Sequence, residues 1–158
     1  MKRHAACAGA GASLPSGRRV RLVSDPIIVL DTSLVLDGQL EKVEATIDEL
    51  VAFVEANEPD VLVYQVYLDR AAGQMTVLQM HPDSSSMEFH MQVAAPIFQR
   101  FAGRLRLSRI DVYGRPSDAL MARLESKAQL LGGAPVVVNA QRGGFVHLGP
   151  PAPIASPA

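Results

Sequence analysis

His81 and His90 bracket the segment HPDSSSMEFH, and they are the residues of this chain best suited to proton chemistry. A neutral imidazole titrates near pH 6.5 and can accept a proton from a phenol or hydroquinone. His90 lies beside Met91 and three positions after Met87, at the margin of an apolar helix face, so it can point between helix and sheet. It is the candidate catalytic base. His81, at a strand end before Pro82, is a candidate to complete the same pocket. Tyr64 and Tyr67 on a neighbouring strand, with Met87, Met91, Phe98 and Phe101 on the helix, are the candidate substrate-binding side chains. Each has a plainer reading: a helix histidine bonded to backbone, a strand terminator, aromatic residues packed in a sheet.

Other chemistries find less support. Glu88 and His90 are two positions apart, about 200° around a helix, and cannot chelate one ion from the same helix. No metal site and no cofactor is expected, because convergent ligand sets want three or four donors. Gly9-Ala10-Gly11 lacks the third glycine and the flanking strand and helix of a dinucleotide fingerprint. Arg104, Arg106 and Arg109, on or next to a strand beside Arg100, could hold a carboxylate or phosphate, but a solvated strand face with interface ion pairs is the more usual reading. Without a basic-aromatic stripe, nucleic acid is not an expected partner.

Composition bounds the rest. A chain of 158 residues suits one domain with a true core. The net charge is −1, but Lys2, Arg3, Arg18, Arg19 and Arg21 precede the first acid, leaving a body of about −6. The one cysteine, Cys7, excludes an internal disulfide framework and fits a cytoplasmic protein. Apolar runs are strand-sized, and no membrane partner is expected. The expected organisation is a disordered arm over 1–24, one domain over 25–148 and a disordered tail over 149–158.

Periodicity places the elements. Residues 27–36, IIVLDTSLVL, read as a strand. Leu40, Val43, Ile47, Leu50 and Val54 fall at intervals of three and four on one face of a helix over 39–57, with Asp37 as its expected cap and Pro59 as its stop. Residues 61–69 and 74–81 form a hairpin around Ala71-Ala72-Gly73. A second helix starts at Ser84 or Ser85, with Ser85 and Glu88 matching a capping box, and breaks at Pro96. LRLSRIDVY, 105–113, is the fourth strand. A further helix over 117–131, capped by Ser117, precedes an edge strand over 135–139.

The order β-α-β-β-α-β, with an extra helix and strand, predicts an α+β, ferredoxin-like antiparallel sheet. Helices on one face leave the other apolar face wet, and a twofold interface between two copies is the economical cover. A homodimer through the sheet face is expected, with the C-terminal helix and strand as candidates to clasp the partner. The alternative is a monomer whose last helix folds over its own sheet.

His81, Glu88, His90, Pro96 and Phe98, in the pattern H-x6-E-x-H-x5-P-x-F, resemble the antibiotic biosynthesis monooxygenase superfamily of dimeric α/β barrels over roughly residues 26–113. His90, Pro96 and Phe98 stand at that family's helix His, Pro and Phe; His81 stands where its Trp lies, and Ile97 where its second His lies. The resemblance implies a dimeric barrel and a cofactor-independent monooxygenase acting on a small aromatic or quinol-like molecule. The alternative is a non-catalytic barrel binding a small apolar ligand, with heme binding, known among relatives of the fold, as a third reading.

Overall fold

The computed structural model describes residues 25–144, so the expected N-terminal arm and C-terminal tail lie outside the described residues. The element order is β1 (Ile27–Val35), α1 (Leu40–Asn57), β2 (Val63–Asp69), β3 (Gln74–His81), α2 (Ser84–Val93), α3 (Ala95–Gln99), β4 (Leu105–Tyr113), α4 (Asp118–Leu130) and β5 (Val136–Asn139). The strands make one five-stranded sheet in the order β2-β3-β1-β4-β5. Neighbours are antiparallel except β4 and β5, which run parallel. This is the expected ferredoxin-like α+β fold with its additional helix and edge strand.

Alternation along each strand sends one set of side chains toward the helices. On β1 that set is Ile27, Val29, Asp31 and Ser33, all buried; on β3 it is Met75, Val77, Gln79 and His81, also buried. The opposite face carries Ile28 paired with Met80 and Leu30 paired with Leu78. Tyr67, Leu34 and Tyr113 are exposed. On β4 the inward residues are Leu105 and Leu107, then Ile110 and Val112, because the register shifts between Thr32 and Ser33. Ser108 is the extra residue of that bulge, and it changes which face the strand's alternate residues meet.

The helices follow from their apolar spacing and their ends. α1 buries Val43, Thr46, Leu50 and Val54. Its cap position is Gln39 without a side-chain bond, so Asp37 does not take the expected role. Glu58 ends the helix at Pro59. α2 is capped by Asp83, whose carboxylate accepts from the Ser86 amide at 2.9 Å, and not by a Ser85–Glu88 box. Glu88 instead accepts from the Ser117 hydroxyl, which in turn accepts from the Leu120 amide at 3.0 Å, tying α2 to the capped start of α4. Pro96, without an amide proton, sits in the first turn of α3 and separates it from α2.

At the far end, α4 buries Leu120, Leu124 and Ala128 in the core shared with α2, β4 and β1. β5 pairs with β4 of the same chain. Gly114 closes the turn after β4 at φ 116°, where a Cβ would stand 2.6 Å from the Pro26 carbonyl oxygen; only glycine fits there.

Candidate functional site

The inner sheet face is interrupted by a polar seam. Asp31 from β1 and Gln79 and His81 from β3 occupy inward positions that otherwise hold Ile27, Val29, Met75 and Val77. Above them the helix layer supplies His90 from α2, Lys127 from α4 and Glu58 from the end of α1. Burial of so many polar groups is costly unless they are paired, so the pairing is informative.

Two clusters emerge. In the first, His90 Nδ1 lies 2.9 and 3.0 Å from the two carboxylate oxygens of Glu58, with the side chains 0% and 2% exposed. The carboxylate can only accept, so Nδ1 carries a proton and donates it. The other ring nitrogen, Nε2, is buried without a hydrogen-bond partner among the described residues. A carboxylate that fixes the tautomer of an imidazole and leaves Nε2 basic is the arrangement of a positioned general base. Three rings surround His90 at closely similar separations: Tyr64 at 5.4 Å, Phe98 at 5.4 Å and His81 at 5.5 Å between centroids.

His81 is held as a weak base. Burial, with the adjacent His90 adding to it and Asp83 opposing, pushes its pKa down to about 3. Its Nδ1 is 3.0 Å from the Ser86 hydroxyl, and its Nε2 has no partner among the described residues.

In the second cluster, Lys127 pairs with Asp31 Oδ2, and the Gln79 amide donates to the same oxygen at 3.3 Å. Asp31 Oδ1 and Gln79 Oε1 are buried without partners among the described residues. The Lys127 ammonium also stands 4.7 Å above the centre of the Phe98 ring. Tyr64, register partner of Gln79, lies between the clusters. Burial chiefly, then the charges of Asp31 and Glu58, raises its pKa, so its phenol stays protonated as a donor.

A small, partly enclosed cavity of about 30 Å³ adjoins the second cluster. Asp31, Gln79 and Lys127 give it one polar side, and Tyr64, Phe98, Phe101, Leu50 and Leu107 are among its apolar lining. Neither histidine is in that lining; His90 stands behind Tyr64 and Phe98, with His81 on His90.

The sequence-predicted residues therefore divide. His90, His81, Tyr64 and Phe98 come together, and Phe101 joins the cavity wall. Met87 is packed in the core at 0% exposure, and Met91 lines a separate outer groove. Tyr67 does not reach the site: it is 53% exposed on the opposite sheet face, with its hydroxyl on Gln65. Alternation in β2 puts the two tyrosines on opposite sides, since they are an odd number of residues apart.

Three of the four arginines are likewise spoken for: Arg100 pairs with Glu49, Arg109 with Asp111, and Arg104 donates to Thr46 at 3.3 Å, while Arg106 is exposed. Among the described residues, no group of three or more His, Cys, Asp or Glu side chains is placed to hold a metal ion. None of the described helices is long and apolar enough to cross a membrane.

No protein-family model matches the sequence, and neither does any curated protein. Solved structures do share the fold. MupZ of Pseudomonas fluorescens superposes with a TM-score of 0.61 at 13% identity, over 77% of this chain and 94% of that one. A conserved Bacteroides thetaiotaomicron protein, described as a possible oxidoreductase, gives 0.52 at 13% identity, over 58% of this chain and 98% of that one. A Caulobacter crescentus protein provisionally described as an antibiotic biosynthesis monooxygenase reaches 0.41 at 20% identity, over 70% and 82% of the two chains. The likeness to MupZ and to the Bacteroides protein establishes the ferredoxin-like α+β fold and, at these identities, nothing about activity or substrate.

Proposed function

We propose that this domain is a cofactor-independent monooxygenase acting on a small hydroxylated aromatic molecule, with His90 as its base. The observation that carries the reading is the Glu58–His90 pair: Nδ1–H is held by a buried carboxylate at 2.9 Å while Nε2 is left basic and without a partner among the described residues. His90 removes a hydroxyl proton, and the electron-rich anion reacts with dioxygen. The substrate as a whole loses two hydrogens, one of them a hydroxyl hydrogen, and gains one oxygen atom; the second oxygen atom leaves with those two hydrogens as water, so the substrate itself is the reductant.

The apolar lining of the adjoining cavity suits the ring, and Tyr64 and Gln79 supply hydrogen-bonding groups at its edge. Tyr64 and Phe98 must shift for a substrate to reach Nε2, since they separate it from the cavity. The working unit in this reading is a cytoplasmic homodimer that covers the apolar sheet face of Ile28, Leu30, Leu78 and Met80.

Oxygen uptake with a panel of quinols and polyphenols tests the reading. Turnover is expected for the native chain and a loss of about 10²–10⁴-fold for His90→Ala, the usual range for a general base. Equal rates in the two proteins would sink it. A second reading, a non-catalytic binder of small apolar molecules, draws support from the predominance of apolar side chains in the cavity wall. Ligand-induced stabilisation without oxygen uptake would favour it, and a Soret change on hemin titration would direct attention to heme.

A further inference from the structure

The inner cavity, at about 30 Å³, is far smaller than the roughly 150 Å³ that accommodates a benzene ring in a protein core. A second hollow, an outer groove of about 360 Å³ between α2, α3 and α4, has the size of a small-molecule site. Two residues, Phe98 and Lys127, line both hollows, so their side chains are the wall between them. The wall is held by charge. Lys127 reaches inward to Asp31 and lies over the Phe98 ring, so one ammonium group holds both β1 and the aromatic side chain.

We propose that Lys127 and Phe98 form a gate, latched by Asp31, whose opening joins the inner cavity to the α3–α4 groove and so makes room for a small aromatic molecule to enter from that groove. This rests on the reading of the inner cavity as the place where a substrate is held. Three features support the route. The groove side of the gate is apolar at Met91, Ala95 and Leu130, which suits a ring. Lys127 sits on α4, whose buried contacts at Leu120, Leu124 and Ala128 hold the helix while its side chain swings. Phe98 belongs to a helix of five residues set apart by Pro96, a segment able to shift without unwinding α2.

Opening breaks the Asp31–Lys127 contact, and the incoming molecule meets Asp31 and Gln79, each with a buried oxygen lacking a partner among the described residues. A hydroxyl group on the ring would donate to one of them, so the polar edge of the cavity selects a hydroxylated aromatic over a bare hydrocarbon.

The gate can be tested without knowing the substrate. In the full chain carrying Cys7→Ser and Val77→Cys, the introduced thiol sits in the cavity wall, and its labelling by methyl methanethiosulfonate reports access. Ser126→Trp, which fills the groove from an exposed position of α4, should slow labelling about tenfold, the effect of disfavouring the open state by one decade. The paired substitution Asp31→Asn with Lys127→Met removes the latch without stranding a charge and should speed labelling by a similar factor.

Unfolding by urea, followed in parallel, separates gating from global opening. Ala122→Trp serves if Ser126→Trp does not fold. Labelling that ignores the groove-filling residue, or that tracks global unfolding in every variant, overturns the gate. Gated labelling in a protein that oxidises no quinol would leave the gate standing and remove the monooxygenase reading; turnover with ungated labelling would do the reverse.

Discussion

The imidazoles of His81 and His90 lie 5.5 Å apart at a tilt of 49°, both wholly buried, and only His90 has a carboxylate against its ring. Two like side chains are thereby given unlike surroundings: one is anchored by a carboxylate, the other is kept neutral by burial. The stability of the fold should carry the mark of the second. Folded His81 remains neutral to about pH 3, while in the unfolded chain it takes up a proton near 6.5. Above pH 6.5 the group leaves stability unchanged; between there and about pH 3 the unfolded state binds the extra proton and stability falls. The slope is at most about 1.4 kcal/mol per pH unit. Urea midpoints measured across that range should fall with acid in the native chain, and His81→Leu should flatten the limb.

Glu58 fixes the tautomer of His90, so its removal should act on turnover through the histidine. Glu58→Ala leaves a buried N–H unpaired and is expected to cost about 1–3 kcal/mol of stability. Glu58→Gln can still accept from Nδ1 and should recover much of that stability, yet lower kcat with little change in KM, because it no longer stabilises the imidazolium formed on proton transfer. Equal kcat in the Gln variant and the native chain would assign Glu58 a purely structural part.

Leu50 is 3% exposed and lines the inner cavity. Leu50→Ala should destabilise the fold by about 2–5 kcal/mol and enlarge the hollow toward the size of a ring. Phenol should then raise the unfolding temperature of this variant more than that of the native chain, by mass action on the folded state. Calorimetry with and without phenol reads the difference.

The outer sheet face presents Leu30 against Leu78 at the middle of the β1–β3 pair. If two copies meet there, Leu78→Glu places two carboxylates in one apolar interface and should yield monomers in sedimentation velocity. A native chain that sediments as a monomer at every concentration would remove the dimer from the proposal.

Much of this fold could be read from residue spacing. β3 and β4 begin and end where alternation and turn residues put them, and Ser117 caps α4 as its position indicates. Local signals erred where two side chains competed to cap the same helix. Asp83, with a free carboxylate one position before α2, displaced the serine box, and Glu88 was drawn to Ser117 in another element. The site was half legible. His90 and Phe98 lie on a helix face that periodicity identifies, but Glu58 reads in sequence only as the residue before a helix-stopping proline. Its meeting with His90 is a tertiary event with no local trace. Asp31 did leave a trace: an acid at an inward position of an apolar strand demands a buried partner, and Lys127 answers it. Tyr67 shows the converse, since choosing a face for β2 needed the register of β3.

The extra residue at Ser108 bears on how this chain can vary. β4 is in effect two half-strands of opposite phase, with Leu105 and Leu107 belonging to one and Ile110 and Val112 to the other. Substitution at the exposed Ser108 should be nearly silent, whereas losing it by deletion would turn one half-strand outward, pushing Arg106 into the core or Ile110 out of it. At this position the length of the chain is under stronger constraint than the identity of the residue, and Asp31, which pairs with Ile110 just beyond the bulge, depends on that length for its place opposite Lys127.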